Sequence, residues 1–223
     1  MRREALVVHA VLFDLDGLMV DSEPHSLASW RAVLSSRGVN LDRVVSERMF
    51  GLRQLEAARL LAEAYGLADR PSALAREKEE YQICHLAGRV APMPGLYELL
   101  DEVERRGLRT AVASSGVRPY VSAVLQAVGL AGRFRAVVTG DDVVHGKPAP
   151  DVFLAAAQAV RTRPRYCLVL EDAPSGVQAA KAAGMRCVAV PNAYTRALDL
   201  SAADTVLPSL SAVLAALAHL TAR

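Results

Sequence analysis

The chain has 223 residues, 52% of them apolar, and a formal net charge of +2, which suits one α/β domain with an insertion, or two small domains. A charge so near zero, with no run of five or more basic residues, points away from a nucleic-acid partner, and no stretch is long and apolar enough to span a membrane. Cys84, Cys167 and Cys187 are widely spaced and form no CxxC pair, which argues against a disulfide framework or zinc site and predicts buried free thiols in a reducing cytosol.

The chain starts Met1-Arg2-Arg3 and runs apolar from Ala5 to Phe13. A leader peptide is the competing reading, but the run is short, contains His9, lacks a small-residue cleavage site and ends in two aspartates. Residues 6–14 read instead as a strand buried on both faces. Residues 23–89 then carry three or four helical patterns and no strand candidate. Trp30, Val33 and Leu34 share one helical face, and Leu55, Ala58, Leu61 and Ala62 share another. The charged stretch 76–81 predicts a wet side for the last of these helices, with Arg76 and Lys78 solvated.

Pro92-Met93-Pro94-Gly95 punctuates the chain. Helices and strands alternate after it. The pattern predicts a helix over 96–106 ended by Gly107, a strand over 110–113, and a helix over 117–128 ended by Gly129. A strand over 136–139, a helix over 151–160 and a strand over 166–170 follow. Last come a helix over 174–183 ended by Gly184, a strand over 186–190, a short strand over 205–207 and a C-terminal helix. Short loops between such elements mean βαβ units with right-handed crossovers. The expected architecture is α/β: a Rossmann-like parallel-sheet core from residues 1–20 and 93–223, with residues 21–92 inserted as a helical cap domain.

Ligands of open α/β sheets bind beyond the carboxyl ends of the strands. Here the strand ends are followed by Asp14-Leu15-Asp16-Gly17, by Ser114-Ser115-Gly116, by a loop holding Lys147-Pro148, and by Glu171-Asp172. Oxygen ligands without His or Cys suit Mg²⁺ rather than Zn²⁺. A metal and an ammonium together would neutralise phosphate oxygens, so that a carboxylate could approach phosphorus. A second carboxylic acid could protonate the leaving oxygen and later activate water. Each piece alone has a plainer reading. An Asp14-led calcium loop fails at its sixth and twelfth positions, Met19 and His25. The serines and the Glu171-Asp172 pair could be helix caps, and Lys147 a surface lysine. Chance does not supply all four at successive strand ends.

Taken together, the chain resembles the haloacid dehalogenase superfamily, in the β-phosphoglucomutase-like and phosphatase group with a small helical cap. Asp14-Leu15-Asp16-Gly17 is similar to its first motif and Ser114 to its second. Lys147 in Gly146-Lys147-Pro148-Ala149-Pro150-Asp151 is similar to the third, and Leu170-Glu171-Asp172-Ala173-Pro174-Ser175-Gly176 to the fourth. The resemblance implies Asp14 as nucleophile and metal ligand. It implies Asp16 as general acid/base, with its backbone carbonyl on the metal. Ser114, or Ser115 as its substitute, would hold a phosphate oxygen, and Lys147 would bridge phosphate and Asp14. Asp172 would complete a Mg²⁺ site, with Glu171 a ligand directly or through water.

The resemblance also implies a cap that closes over the site, hinged just after Gly17 and at residues 92–94. Glu23, His25, Trp30 and Arg53 are the cap residues that could reach a substrate. Trp30 reads more readily as core and His25 as a solvated helix start, while Arg53 is balanced between the two readings. The implied activity is a cytoplasmic phosphatase of small phosphorylated sugars or polyols, without nucleic-acid or membrane partners, as a monomer or weak homodimer. The alternative is a β-phosphoglucomutase-like mutase. Those mutases place a His five residues beyond the last Asp of D-x-D-x-x-x-D, where this chain has Ser26, and His25 lies one residue early. One residue turns a helical side chain by roughly 100°. Arg53 follows Gly51 by two positions where those mutases have three. An intact Asp16 argues against dehalogenation and against a binding protein without turnover. Lys78, the cap lysine, has a charged context that predicts no depressed pKa, hence no Schiff base.

Overall fold

A computed structural model describes residues 7–49, 52, 54–86 and 89–221. In chain order the elements are β1 (Ala10–Phe13), β2 (Val20–Asp21), α1 (Glu23–Ser35), α2 (Arg43–Met49), α3 (Gln54–Tyr65) and α4 (Pro71–Cys84). Next come β3 (Ala91–Pro92), α5 (Leu96–Arg105), β4 (Arg109–Ala113), α6 (Arg118–Ala127), β5 (Ala136–Val138) and α7 (Asp151–Ala159). The last are β6 (Cys167–Glu171), α8 (Pro174–Ala182), β7 (Arg186–Ala189), β8 (Thr205–Val206) and α9 (Leu210–Thr221).

Six strands form one parallel sheet in the order β5-β4-β1-β6-β7-β8. β1 is central, with Val11 facing Thr110 on one side and Leu168 on the other. Successive strand residues point to opposite faces. Val11 and Phe13 accordingly enter one hydrophobic cluster with α5, α6 and α9, while Ala10 and Leu12 enter a second with α7 and α8. Burial of a side chain such as Phe13 contributes about 1.5–3 kcal/mol. Leu96, Leu99, Leu100 and Val103 of α5 show why helices cover the sheet: the i, i+3, i+4, i+7 spacing gives one apolar stripe, and all four are buried. The Rossmann-like α/β architecture expected from the alternation is the one observed. Most element ends shift by a residue or so, and the amino-terminal end of the first strand shifts more, since β1 begins at Ala10; residues 1–6 lie outside the described residues.

From β1 the chain builds β4 and β5 on one side, then returns to place β6 and β7 on the other. The connections diverge at the carboxyl end of β1, and a crevice opens there. Helices α1–α4 pack around a third cluster of their own, with Trp30, Leu34, Ala58, Leu61 and Leu74 at its centre. Two short strands that the sequence did not signal join this unit to the sheet. Val20 pairs with Pro92 and Asp21 with Ala91, antiparallel. Two residues are too few for a periodic pattern, and Pro92 offers no N–H to the ladder.

Two expectations require correction. Cys84, at the end of α4, is exposed, whereas Cys167 and Cys187 are buried as free thiols. Lys78 is not solvated but 5% exposed. It lies one turn from Leu74 and one turn from Gln82 on the buried face of α4, while Arg76 faces outward. The run of charges concealed that spacing. Among the described residues no helix is long and apolar enough to cross a membrane.

Candidate active site

Asp14 directly follows β1, and its amide donates to the Leu170 carbonyl of β6. The chain then turns through Gly17 at φ +83°, where a Cβ would press on the side chains of Asp172 and Asn192. Ser114 follows β4, is 1% exposed, and accepts a 3.0 Å bond from the Gly116 amide. Lys147 comes from the loop after β5. Its ammonium donates to Asp14 Oδ1 and, over 2.7 Å, to Glu171 Oε1, and lies 4.8 Å from the Phe153 ring centroid. Glu171 ends β6, and its Oε2 accepts 2.8 Å bonds from the Asp172 and Ala173 amides as α8 begins. Gly176 leaves room for this carboxylate, which a Cβ would overlap. Asp172 Oδ2 accepts from Asn192 Nδ2 at 2.8 Å, and the same amide donates to the Gly17 carbonyl at 3.1 Å.

Three buried carboxylates thus gather around one buried ammonium, which pairs with Asp14 and Glu171 but not with Asp172. Burial pushes Asp14 up to about 8 against the pull of Lys147. Burial, reinforced by the charges of Glu171 and Asp14, also raises Asp172 well above the carboxylate range. Burial works against the Lys147 ammonium as well, but Asp14 and Glu171 outweigh it and hold its pKa above the usual lysine value. Asp14, Glu171 and Asp172 each present an oxygen within 4.8 Å of the others. Both Glu171 oxygens are engaged by protein donors, whereas Asp14 Oδ2 and Asp172 Oδ1 accept nothing from the described residues. The excess negative charge and the all-oxygen donor set fit a hard divalent cation such as Mg²⁺.

Two connected cavities lie above these groups. The lower, of about 210 Å³, is lined by Asp14, Asp16, Ser114, Ser115, Lys147, Glu171, Asp172 and Glu23, among others. The upper, of about 430 Å³, lies under α1 and α4 and shares Asp16, Glu23 and Ser115 with the lower. The eight sequence-selected residues of the lower cavity therefore come together. Glu23 has its carboxyl raised by burial, with Lys78 opposing. Trp30 is both core and cavity wall, 3% exposed, in the third cluster and the upper cavity. His25 lines neither cavity. It is 2% exposed, its Nε2 donates to the Gln82 carbonyl at 2.8 Å, and its Nδ1 has no partner among the described residues. A carbonyl can only accept, so Nε2 carries the proton. Arg53 lies outside the described residues.

Several site residues were not selected from the sequence. Asn192 lies just past β7, so the strand-end rule that found the others would have found it. Lys78, Gln82 and Glu79 of α4 line the upper cavity. Lys78 Nζ donates to Gln82 Oε1 at 2.5 Å, and burial pushes its pKa down to about 8 against the attraction of Asp16 and Glu23. This corrects the expectation that its pKa is undisturbed. Tyr120 of α6 reads in sequence as an ordinary core aromatic. It is 5% exposed, and its phenol donates to Asp16 Oδ1 at 2.6 Å. Burial and the nearby Asp16 charge raise its pKa well above the usual value, so the phenol keeps its proton.

Comparison with known proteins places this geometry in context. A family model described as a haloacid dehalogenase-like hydrolase matches residues 8–184. The chain is 38% identical over 182 residues to the fructose-1-phosphate phosphatase YqaB of Escherichia coli (strain K12), covering 81% of this chain and 95% of that one. It is 30% identical over 190 residues to the β-phosphoglucomutase of Bacillus subtilis (strain 168), covering 81% and 82%. The crystal structure of CbbY from Rhodobacter sphaeroides in complex with phosphate matches with a TM-score of 0.82 at 28% identity, covering 92% of this chain and 96% of that one.

Proposed function

Since the chain belongs to the haloacid dehalogenase-like hydrolase family, we propose that it is a Mg²⁺-dependent phosphatase of small phosphorylated sugars or polyols, acting through a phosphoaspartyl intermediate on Asp14. The observation that carries the reading is the Lys147 ammonium held between Asp14 and Glu171, beside Asp172, in one cavity. A carboxylate in that setting can meet a phosphate dianion without prohibitive repulsion.

The steps follow from the residues. Ser114 and Lys147 hold phosphate oxygens. An Asp14 oxygen bonds to phosphorus as the phosphorus–oxygen bond to the substrate breaks, and Asp16 gives its proton to the departing alkoxide. Asp16 then takes a proton from water as the water oxygen bonds to phosphorus. Phosphate leaves and the Asp14 carboxylate is restored. Asp14 and Asp172, with the Asp16 carbonyl and with Glu171 directly or through water, would hold Mg²⁺, which would supply charge neutralisation at the phosphoryl oxygens. Helices α1–α4 act as the cap that excludes bulk water, and Glu23, Lys78 and Gln82 face the leaving group from it.

Hydrolysis is proposed over mutase chemistry because His25 lies outside both cavities with its Nε2 committed to the Gln82 carbonyl. The test is a screen of phosphorylated metabolites for phosphate release with Mg²⁺, including fructose 1-phosphate, a glycerol phosphate and β-glucose 1-phosphate. Release from one or more sugar or polyol monophosphates is expected. Conversion of β-glucose 1-phosphate, with a trace of the 1,6-bisphosphate, to glucose 6-phosphate faster than phosphate release would establish the mutase instead.

A further inference from the structure

A chain of hydrogen bonds runs from the α1–α4 unit to the carboxylate of Asp16, and every donor in it points the same way. Lys78 Nζ donates to Gln82 Oε1 at 2.5 Å. Gln82 Nε2 donates to the Tyr120 oxygen at 3.3 Å. Tyr120 donates to Asp16 Oδ1 at 2.6 Å. Lys78, Gln82 and Tyr120 are 5%, 4% and 5% exposed, so bulk water does not compete for these bonds.

The polarity of the chain is dictated at its start. An ammonium can only donate, so the Gln82 amide must turn its oxygen to Lys78 and its NH₂ to Tyr120. A phenol has one proton. With its oxygen accepting from Gln82, that proton is left for Asp16. The carbonyl oxygen of a carboxylic acid is its stronger acceptor, so with Tyr120 donating to Oδ1 a protonated Asp16 carries its proton on Oδ2. Asp16 Oδ2 has no hydrogen-bond partner among the described residues, and Asp16 lines the cavity it shares with Asp14, Ser114 and Lys147.

We propose that Tyr120 is a positioning residue for Asp16: its phenol, oriented by Gln82 and Lys78, holds Oδ1 and so presents the proton of Oδ2 to the leaving oxygen. The inference rests on the reading of Asp16 as leaving-group acid. In the step concerned, the Oδ2 proton passes to the substrate oxygen as its bond to phosphorus breaks and the bond from Asp14 to phosphorus forms. The link from Gln82 to Tyr120 joins α4 to α6, so the acid is held in this way only while α4 lies against the sheet-bound helix.

The test compares two substrates through kcat/KM, which reports events up to formation of the phosphoenzyme. One is an alkyl phosphate that the enzyme turns over, whose alkoxide needs a proton. The other is p-nitrophenyl phosphate, whose leaving group does not. Tyr120→Phe should lower kcat/KM for the alkyl phosphate by about tenfold or more, the scale of a lost hydrogen bond to a charged group, and for the aryl phosphate by less than about threefold. Placed on Asp16→Asn, the same change should have almost no further effect, because the two act as a unit. Equal losses on both substrates, or losses that multiply with those of Asp16→Asn, would overturn the inference by making Tyr120 merely structural. If Asp16→Asn itself fails to discriminate between the substrates, the reading of Asp16 as the acid falls. If Asp16→Asn discriminates and Tyr120→Phe does not, only the present inference falls. Should Tyr120→Phe not fold, Gln82→Leu answers with the same two substrates: a selective loss supports the relay and an unselective one overturns it.

Discussion

Lys147 donates to Asp14 across 133 positions of sequence, and both side chains are withdrawn from solvent. This contact sets the electrostatics of the site. It holds a cation against the buried Asp14 carboxyl, where the proposed function has a dianionic substrate arrive.

Asp14→Asn should abolish turnover while the fold survives. The amide matches the carboxylate in volume, and Lys147 retains Glu171 as a partner. Phosphate release and a thermal melt decide it. Near-normal release with a native melt would remove Asp14 as nucleophile.

Lys147→Met should lower kcat/KM by about 100-fold or more, the usual effect of deleting one preorganised charge. It leaves Asp14 and Glu171 facing each other without a cation. A loss under threefold would mean that the ammonium does no more than hold the resting structure.

Gly176→Ala should damage the site from outside the cavity. Its Cβ would overlap the Glu171 carboxylate and drive it from the Asp172 and Ala173 amides. Mg²⁺ binds only the folded chain in this reading, so it should raise the wild-type melting temperature, and less so that of the variant. Chelation should stop wild-type turnover. A melting temperature indifferent to Mg²⁺, with turnover surviving chelation, would exclude the metal.

Lys78 should make stability depend on pH. Its pKa is about 8 in the folded chain against an ordinary 10.5. Between those values the unfolded chain binds more protons, so stability rises with pH through that window. Denaturant melts of wild type and Lys78→Met at pH 7 and pH 10 should differ in their gap by on the order of 2–3 kcal/mol in favour of wild type at the higher pH. Comparing the two proteins cancels the contributions of other groups, including the buried thiols. A constant gap would show that Lys78 titrates as an ordinary lysine.

The elements that bring the candidate site together were legible in the sequence because their signals are local. β1 announces itself as an apolar run, Gly107, Gly129 and Gly184 end their helices, and Asp14, Ser114, Lys147 and Glu171-Asp172 each follow a predicted strand. A parallel sheet turns that local rule into proximity, since all its strands end at one edge. The α1–α4 unit offers no such rule. Whether Lys78 is wet or buried, and whether His25 faces a cavity or the Gln82 carbonyl, depends on which faces of α1 and α4 meet each other. Tyr120 has no signal at all: a phenol on an apolar helix face is ordinary core until a carboxylate 104 positions away lies 2.6 Å from its oxygen. The sequence alone determined the sheet and the four groups at its carboxyl edge. The tertiary structure alone decided which side chains hold those groups in place, because hydrogen-bond partners drawn from separate elements are chosen by packing and leave no periodic trace in the chain.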